Sequence, residues 1–189
     1  NTKKKELHNI IKMIEINGIN YLEQVKDNVS NLAHLMKGND SLAISFFANF
    51  VLKQNVVDDN SILIPCPQHS GSAIYTLNAA NLIASRSGAT VLDILKRTPG
   101  DTIYNLKQSK SFDTVKPEYF LSSPFSKKPG QKVFLVDNVI GSGFSYSQIS
   151  KLIPCQPLVL ATNLNKDEMQ KLIKINQFEK QSHHNKIHL

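Results

Sequence analysis

The chain has 189 residues, of which 41% are hydrophobic and 20% are charged. This length supports one α/β domain with its own core rather than two large domains, and the composition is that of an ordinary globular protein. No apolar run approaches the roughly 18 residues that a membrane-spanning helix needs, and no apolar signal core follows the lysine-rich first residues. We therefore expect a cytoplasmic protein with no membrane partner.

The formal net charge is +7, and lysine supplies nearly all of the positive charge because Arg86 and Arg97 are the arginines. Proteins that bind nucleic acid usually interleave arginine with aromatic residues on a basic stripe, and this chain has no such stripe. The charge favours a phosphate-bearing small molecule and leaves nucleic acid as a weaker alternative. Cys66 and Cys155 form no C-x-x-C pair, so we predict reduced thiols.

Residues 1–58 are predicted to form a helical segment that packs on the core. The apolar residues from 7 to 14 are spaced for one face of a helix that Gly18 ends, and residues 29–36 suggest a second helical stretch. Gly38 suits the end of that helix, and Asp40 suits the N-cap of a third one. Residues 42–52 follow as a helix that is apolar on most sides.

From Ser61 onward, short apolar runs alternate with helical patterns. Strands are predicted at 62–64, 89–95, 133–136 and 157–161, and helices at 72–87, 145–152 and 167–175. This alternation predicts an α/β domain over residues 59–176 with a doubly wound parallel sheet, followed by a polar tail at 177–189. Ligands of such sheets bind outside the carboxyl ends of the strands, where the loops 65–72 and 137–145 lie.

A long basic insert separates two of the predicted strands. Residues 96–132 contain eight lysines and arginines against three acidic residues, a balance of +5. Such a connection beside a ligand-bearing sheet edge is typical of a mobile lid over an anion. A solvated loop with incidental lysines is the alternative.

The loop at 137–145 has the features of a phosphate-binding site. A hydrophobic strand reaches Asp137, and the sequence Gly141-Ser142-Gly143 then precedes a helix. Glycines allow main-chain N–H groups to converge on one point, and the helix N-terminus adds partial positive charge there. Hydroxyl groups of Ser142 and Ser145 can bond to the same oxygens. The loop lacks the Gly-Lys-Ser/Thr of a Walker loop and the glycine spacing of a dinucleotide fingerprint.

This segment resembles the phosphoribosyl pyrophosphate signature of type I phosphoribosyltransferases, in which four apolar residues precede two acidic positions, two apolar residues and a short Thr/Ser/Gly loop. Three further segments resemble the ComF-like, competence-associated branch of that family: Lys-Gly-Asn-Asp from Lys37, Ile-Pro-Cys-Pro from Ile64, and Lys-Arg-Thr from Lys96. That branch's amino-terminal zinc-binding cysteine cluster is absent from this sequence. The resemblance implies a type I phosphoribosyltransferase-like fold.

By that resemblance, the chain would bind phosphoribosyl pyrophosphate together with Mg²⁺, which no protein residue would ligate directly. Asp137 and Asn138 would occupy the two catalytic positions at the ribose hydroxyls. The 5′-phosphate would contact the loop residues Gly141, Ser142, Gly143, Phe144 and Ser145. The pyrophosphate would contact the residues Pro67, Gln68, His69 and Ser70. The lid residues Lys96 and Arg97 would close over the leaving group while a nitrogen nucleophile displaces it from ribose C1.

Departures from the family pattern leave the activity open. Asn138 replaces the second acidic residue, so the charge that favours an oxocarbenium-like transition state is reduced. Gly141 stands where 6-oxopurine enzymes have a catalytic aspartate, which argues against hypoxanthine or guanine salvage, and Phe144 is bulkier than the usual loop residue. The alternative function is a non-catalytic sensor of nucleotides or phosphosugars, or a scaffold in DNA uptake or defence, with a homodimer or a protein partner left open.

The other polar groups have simpler interpretations. His69 suits a pyrophosphate or metal-water contact and an exposed loop histidine about equally. Asp58 and Asp59 precede a strand and suit a solvated turn. His183, His184 and His188 are interpreted as incidental residues of the tail.

Overall fold

The structure, a computed structural model, describes residues 13–16, 19–22, 27–109, 116–165, 167–168 and 170–171. Within those ranges the chain forms, in order, β1 (Met13–Ile16), β2 (Ile19–Leu22), α1 (Asp27–Lys37), α2 (Ser41–Lys53), β3 (Ser61–Pro65), α3 (Tyr75–Ser87), β4 (Thr90–Val91), β5 (Leu95–Arg97), α4 (Ile103–Gln108), β6 (Tyr119–Leu121), β7 (Lys132–Ile140), α5 (Phe144–Leu152) and β8 (Gln156–Thr162).

Six of these strands form one sheet in the order β1-β2-β8-β7-β3-β4. The strands β8, β7, β3 and β4 run parallel, β2 pairs in parallel with β8, and β1 is antiparallel to β2. Every residue of β3 is buried, as is the apolar half of β7, which is the pattern of parallel strands covered on both faces. The predicted α/β architecture with a parallel sheet is therefore confirmed.

Alternate residues of the strands enter two separate cores. The first face of the sheet includes Leu63, Phe134 and Val136 and packs against α1, α2 and α3. The second face includes Ile64 and Leu135 and packs against α5 and the small sheet of β5 and β6. The chain thus covers both faces because successive strand residues point to opposite sides.

The helices that cover the first face begin and end largely where the sequence predicts. Helix α1 ends at Lys37, and the Asp40 carboxylate accepts a hydrogen bond from the Ala43 N–H at 2.9 Å, which caps α2. Asp40 is therefore an N-cap of the expected kind, and such a bond contributes about 1 kcal/mol to helix stability. The fully buried side chains of Met36 and Phe47 join these helices to the core.

The predicted helix that includes Ile14 is wrong, because Ile14 lies in β1. The strands β1 and β2 form an antiparallel pair in which Ile16 is opposite Ile19. The sequence between them is Asn17-Gly18, and this dipeptide favours a tight turn between paired strands over a helix end. The other residues of the predicted helix, at 7–11, lie outside the described residues.

The predicted strand at 89–95 is divided between two sheets. Only Thr90 and Val91 pair with β3, whereas Leu95–Arg97 pairs antiparallel with β6 in a second, two-stranded sheet. The insert at 96–132 therefore contains regular structure, namely β6 and the short helix α4, which Thr102 caps. Residues 110–115 of the insert lie outside the described part.

Strand β7 extends four residues beyond the predicted end. Asp137, Val139 and Ile140 continue to pair with β8, so the loop that follows is reduced to residues 141–143. At the other end of the domain, the predicted last helix is described only at residues 167–168 and 170–171, which are helical. The polar tail with its three histidines lies outside the described residues.

Candidate phosphate-binding site

The two loops predicted to bind a ligand follow neighbouring parallel strands. Strands β3 and β7 pair in register from Ser61 and Lys132 to Pro65 and Val136. The Cys66 N–H extends this ladder by donating to the Val136 carbonyl at 2.9 Å. The carboxyl ends of the two strands therefore lie side by side, as ligand sites of parallel sheets require.

In the loop after β7, Gly141 and Ser142 are accessible to solvent and Gly143 is buried. Gly143 is the N-cap of α5 and has a left-handed φ of 76°, which glycine adopts without strain. Among the described residues, no protein acceptor bonds to the N–H groups of Gly141, Ser142 or Gly143. A Cβ placed on Gly141 would meet no atom within 4 Å. The loop is thus open, and its free N–H groups suit an oxyanion.

Asp137 provides the carboxylate beside this loop. Its Oδ1 accepts hydrogen bonds from the Asn138 N–H at 2.7 Å and from the Tyr75 hydroxyl at 3.2 Å. Burial raises the pKa of this carboxyl above its ordinary value, and these hydrogen bonds offset part of that rise. The Cys66 thiol is a further hydrogen-bond partner of this carboxylate.

Asn138 points to the other side of β7 and is only 3% exposed. Its Nδ2 donates to the Ala33 carbonyl of α1 at 3.2 Å. Its Oδ1 lies 3.1 Å from the Tyr75 hydroxyl, which shares its one proton between Asn138 and Asp137. Both ends of the amide are therefore occupied within the protein. The structure does not bring this side chain to the open loop, because adjacent strand residues face opposite sides.

The loop after β3 holds a tight turn against the base of the insert. Gln68 donates to the Ser72 carbonyl and Gly71 donates to Gln68. Gly71 has a φ of 101°, and a Cβ there would lie 3.0 Å from the Arg97 carbonyl oxygen. Pro67 is buried in the turn, whereas His69 and Ser70 are exposed at its tip. Two of the expected pyrophosphate contacts therefore face solvent.

The two predicted lid cations have different surroundings. Lys96 forms an ion pair with Asp93 at 2.9 Å and is partly exposed. Arg97 is 5% exposed, its Nη2 donates to the Asp101 carbonyl, and its Nε is buried with no hydrogen-bond partner. In the described ranges no carboxylate pairs with Arg97. Lys96 is thus neutralised, and Arg97 carries a buried charge without a counter-ion.

Arg97 lies against the turn of the first ligand loop. Its main-chain N–H donates to the Gly71 carbonyl at 3.2 Å, and it pairs in register with Tyr119 of β6. Burial raises the pKa of the Cys66 thiol and of the Tyr119 hydroxyl, and the positive charge of Arg97 acts in the opposite direction on both. The guanidinium group therefore influences the charge states of both Cys66, which follows β3, and Tyr119 of β6.

Two tyrosines belong to this site although the sequence analysis did not select them. The Tyr119 hydroxyl donates to the Ser145 Oγ at 2.8 Å, which joins the second sheet to the first turn of α5. Tyr75 links Asp137 to Asn138, and burial raises the pKa of its hydroxyl. Phe144 begins α5 and is half-buried. No pattern in the sequence marks either tyrosine, because each reaches the site from a distant element.

The residues present suit a magnesium ion that arrives with its ligand. Magnesium sites often use one carboxylate together with phosphate oxygens and water, and Asp137 is the carboxylate at this edge. The described ranges contain no group of three or more His, Cys, Asp or Glu residues that could hold a metal ion by themselves. The oxygens of a diphosphate and water would therefore hold the ion, with Asp137 as the nearby carboxylate that balances its charge.

Sequence comparison finds no relative of this chain among protein families or curated proteins. No protein-family model matches it, and no curated protein is significantly similar to it in sequence.

Across the ranges that the structure describes, no helix has the length and apolar character needed to cross a membrane.

Proposed function

We propose that this protein is a ComF-like member of the type I phosphoribosyltransferase family that binds phosphoribosyl pyrophosphate or a related phosphosugar. The observation that favours this proposal most is the unpartnered, buried Nε of Arg97. An arginine charge without a counter-ion in a protein interior is costly, and an anionic ligand would remove that cost. Arg97 contacts the turn of the predicted pyrophosphate loop, and its partner in β6, Tyr119, bonds to Ser145 next to the phosphate loop.

Each part of the ligand then has a place at this edge of the sheet. The 5′-phosphate would bind the free N–H groups at 141–143 and the start of α5, with the Ser145 hydroxyl as a further donor. The ribose hydroxyls would donate to Asp137. The pyrophosphate would bind between the loop at 67–72 and Arg97, and Mg²⁺ would neutralise part of its charge.

In an active enzyme, a nitrogen nucleophile would form a bond to ribose C1 while the bond from C1 to the pyrophosphate oxygen breaks. The bonding electrons leave with the pyrophosphate, and the nucleophile loses its proton to solvent or a base. Asp137 would orient the sugar and favour positive charge on it, and Arg97 would stabilise the leaving group. The second sheet would exclude water through its contact at Tyr119.

Calorimetry of the full chain with phosphoribosyl pyrophosphate and Mg²⁺ tests the binding proposal. We expect saturable binding, with weaker binding of ribose 5-phosphate and of pyrophosphate alone. The variant Gly141→Ala places a methyl group in the open loop without a clash in the protein, and it should weaken ribose 5-phosphate binding about tenfold. Gly100→Ala is the matched control, since a Cβ there also meets nothing within 4 Å.

Absence of binding to the unsubstituted protein would contradict the proposal, provided that a known phosphoribosyltransferase binds under the same conditions. Equal affinities of the Gly141→Ala and Gly100→Ala variants for ribose 5-phosphate would place the phosphate somewhere other than this loop.

A second candidate function is binding without turnover, as a nucleotide or phosphosugar sensor or a scaffold. The observation that favours it is the buried amide of Asn138, which leaves Asp137 as the single carboxylate at the ribose position. Mass spectrometry of small molecules that co-purify with the protein distinguishes the two. A bound intact phosphoribosyl pyrophosphate or nucleotide, with no pyrophosphate release for a panel of nitrogen nucleophiles, supports the sensor.

A further inference from the structure

The N-terminal segment brings to this site a lysine to which the sequence analysis assigns no role. Lys37 is the last residue of α1, and its side chain is exposed. Throughout the part of the chain that the structure describes, no carboxylate lies within 4.0 Å of its ammonium group. Its charge is therefore not neutralised by a salt bridge.

A hydrogen bond one helical turn before Lys37 fixes the face of α1 on which it lies. Ala33 and Lys37 are four residues apart, so they share a face and lie about 6 Å apart along the axis. The Ala33 carbonyl accepts a hydrogen bond from Asn138, the neighbour of Asp137 in β7. The face that carries Lys37 is thus the face held against the end of β7.

A second hydrogen bond fixes the chain just after Lys37. Asn39 adopts a left-handed φ of 61°, and its Oδ1 accepts from Asn78 of α3 at 2.9 Å. Asn78 lies one turn into α3, near Tyr75, whose hydroxyl bonds to Asp137. The hydrogen bond from Asn138 of β7 is made just before Lys37 in the chain, and the hydrogen bond from Asn78 of α3 is made just after it. Lys37 therefore lies where β7 and α3 approach Asp137.

The electrostatics agree with this placement. Burial is the main influence on the Asp137 carboxyl and raises its pKa, while the positive charge of Lys37 acts to lower it. Helix α1, which carries Lys37, packs on the first face of the sheet, whereas β5, which carries Arg97, packs on the second. Of these two cations without carboxylate partners, Lys37 is the one that acts on the Asp137 carboxylate.

We propose that Lys37 binds an oxyanion of the ligand, so that the N-terminal helical segment is part of the binding site. The inference rests on the proposed function and deepens it. We expect the oxyanion to belong to the pyrophosphate group, because α3, to which the Lys37 loop is attached, begins directly after the predicted pyrophosphate loop. Lys37 and Arg97 would then hold the same group from opposite sides.

A lysine in the last turn of a helix also has a simpler role, because it interacts favourably with the helix dipole. Lys53 is such a lysine in the last turn of α2, and it is exposed. The variant Lys53→Gln is therefore the matched control for Lys37→Gln: both remove a surface charge at a helix end, and neither disturbs a buried contact.

Isothermal titration of the full-length protein with pyrophosphate, ribose 5-phosphate and phosphoribosyl pyrophosphate, each with Mg²⁺, tests the inference. We expect Lys37→Gln to weaken binding of pyrophosphate and phosphoribosyl pyrophosphate about tenfold, the effect of one charge-assisted hydrogen bond. Lys53→Gln should leave all affinities unchanged, and Lys37→Arg should restore most of the loss. A loss for ribose 5-phosphate instead would still place an oxyanion at Lys37, namely the sugar phosphate.

Equal affinities of Lys37→Gln and Lys53→Gln for all three ligands would overturn the inference and leave the proposed function intact. Failure of the unsubstituted protein to bind any of the three ligands would overturn both.

Discussion

The buried polar groups on the two faces of the sheet differ in their hydrogen-bond partners. On the first face, the buried Asn138 amide uses both its donor and its acceptor within the protein. On the second face, the buried Arg97 leaves its Nε without a partner. Buried polar groups are normally satisfied, so an unsatisfied one requires a partner that the protein itself does not supply. We therefore assign Asn138 a structural role and Arg97 a role in ligand binding.

The largest effect should come from replacing Asn138 with Asp, the residue that the family resemblance would favour. An aspartate cannot donate to the Ala33 carbonyl, and its charge would be buried against that oxygen. We expect Asn138→Asp to lower the free energy of unfolding at neutral pH by about 3 kcal/mol. Urea denaturation measures this loss.

The loss should shrink at acidic pH, where a protonated carboxyl can donate to Ala33. Asn163→Asp, at an exposed asparagine after β8, is the control and should change stability by less than about 0.5 kcal/mol. If the Asn138 and Asn163 variants were equally stable, the first face would not depend on this amide.

A smaller effect is expected at the turn that joins the pyrophosphate loop to the second sheet. Gly71→Ala should cost about 2 kcal/mol, from the left-handed backbone and from the approach of the new Cβ to the Arg97 carbonyl. Gly130→Ala shares the positive φ but places its Cβ in open space. Its cost, about 1 kcal/mol, measures the backbone component alone. Equal losses in thermal denaturation would show that the contact with Arg97 is unimportant.

The contact between Tyr119 and Ser145 should contribute less. Removing the hydroxyl in Tyr119→Phe deletes one hydrogen bond at 2.8 Å and should lower the free energy of unfolding by about 1 kcal/mol. If the second sheet closes over the site, hydrogen exchange of the β5 and β6 amides should slow when phosphoribosyl pyrophosphate binds. That slowing should be weaker in the variant, and identical exchange in both proteins would argue against coupling.

The smallest effect is a pH dependence at Asp137. The folded-state pKa of this carboxyl is raised above its ordinary value of 3.8, so folding favours the protonated form. Its contribution to stability is fully present below about pH 4 and is lost as the pH rises through the folded-state pKa. Asp137→Asn should therefore be more stable than the unsubstituted protein at pH 7, and the difference should vanish near pH 4.

In urea denaturation, the control Asp59→Asn, at an exposed residue, should change the free energy of unfolding at pH 7 by less than about 0.5 kcal/mol. An Asp137→Asn variant that is less stable at pH 7 would mean that hydrogen bonds to the carboxylate outweigh its burial.

The parts of the fold with strong local patterns were predictable from the sequence. Continuous apolar runs identified β3 and β7, and Asp40 marked the start of α2, because these signals depend on neighbouring residues alone. The hairpin at β1 and β2 was missed because the helical spacing up to Ile14 outweighed the Asn17-Gly18 signal. The extension of β7 through Ile140 was missed because pairing with β8 determines it, and that pairing is a tertiary contact.

The candidate site was predictable from the sequence only where its residues are neighbours in the chain. Asp137 and the glycine loop lie in one continuous segment, so their order along the chain indicates their use. The roles of Tyr75 and Lys37 depend on helices that meet β7 only after folding. The resemblance assigns Lys96 and Arg97 one common role, whereas the structure pairs Lys96 with Asp93 and buries Arg97 with its Nε unpartnered.

The most direct test of the central claim is to replace Arg97 with Met, which has a similar length and no charge. If the buried guanidinium is retained for an anion, Arg97→Met should be as stable as the unsubstituted protein or more stable. It should bind pyrophosphate on the order of 100-fold more weakly. A clear loss of stability with unchanged pyrophosphate affinity would contradict the claim and make Arg97 a structural residue.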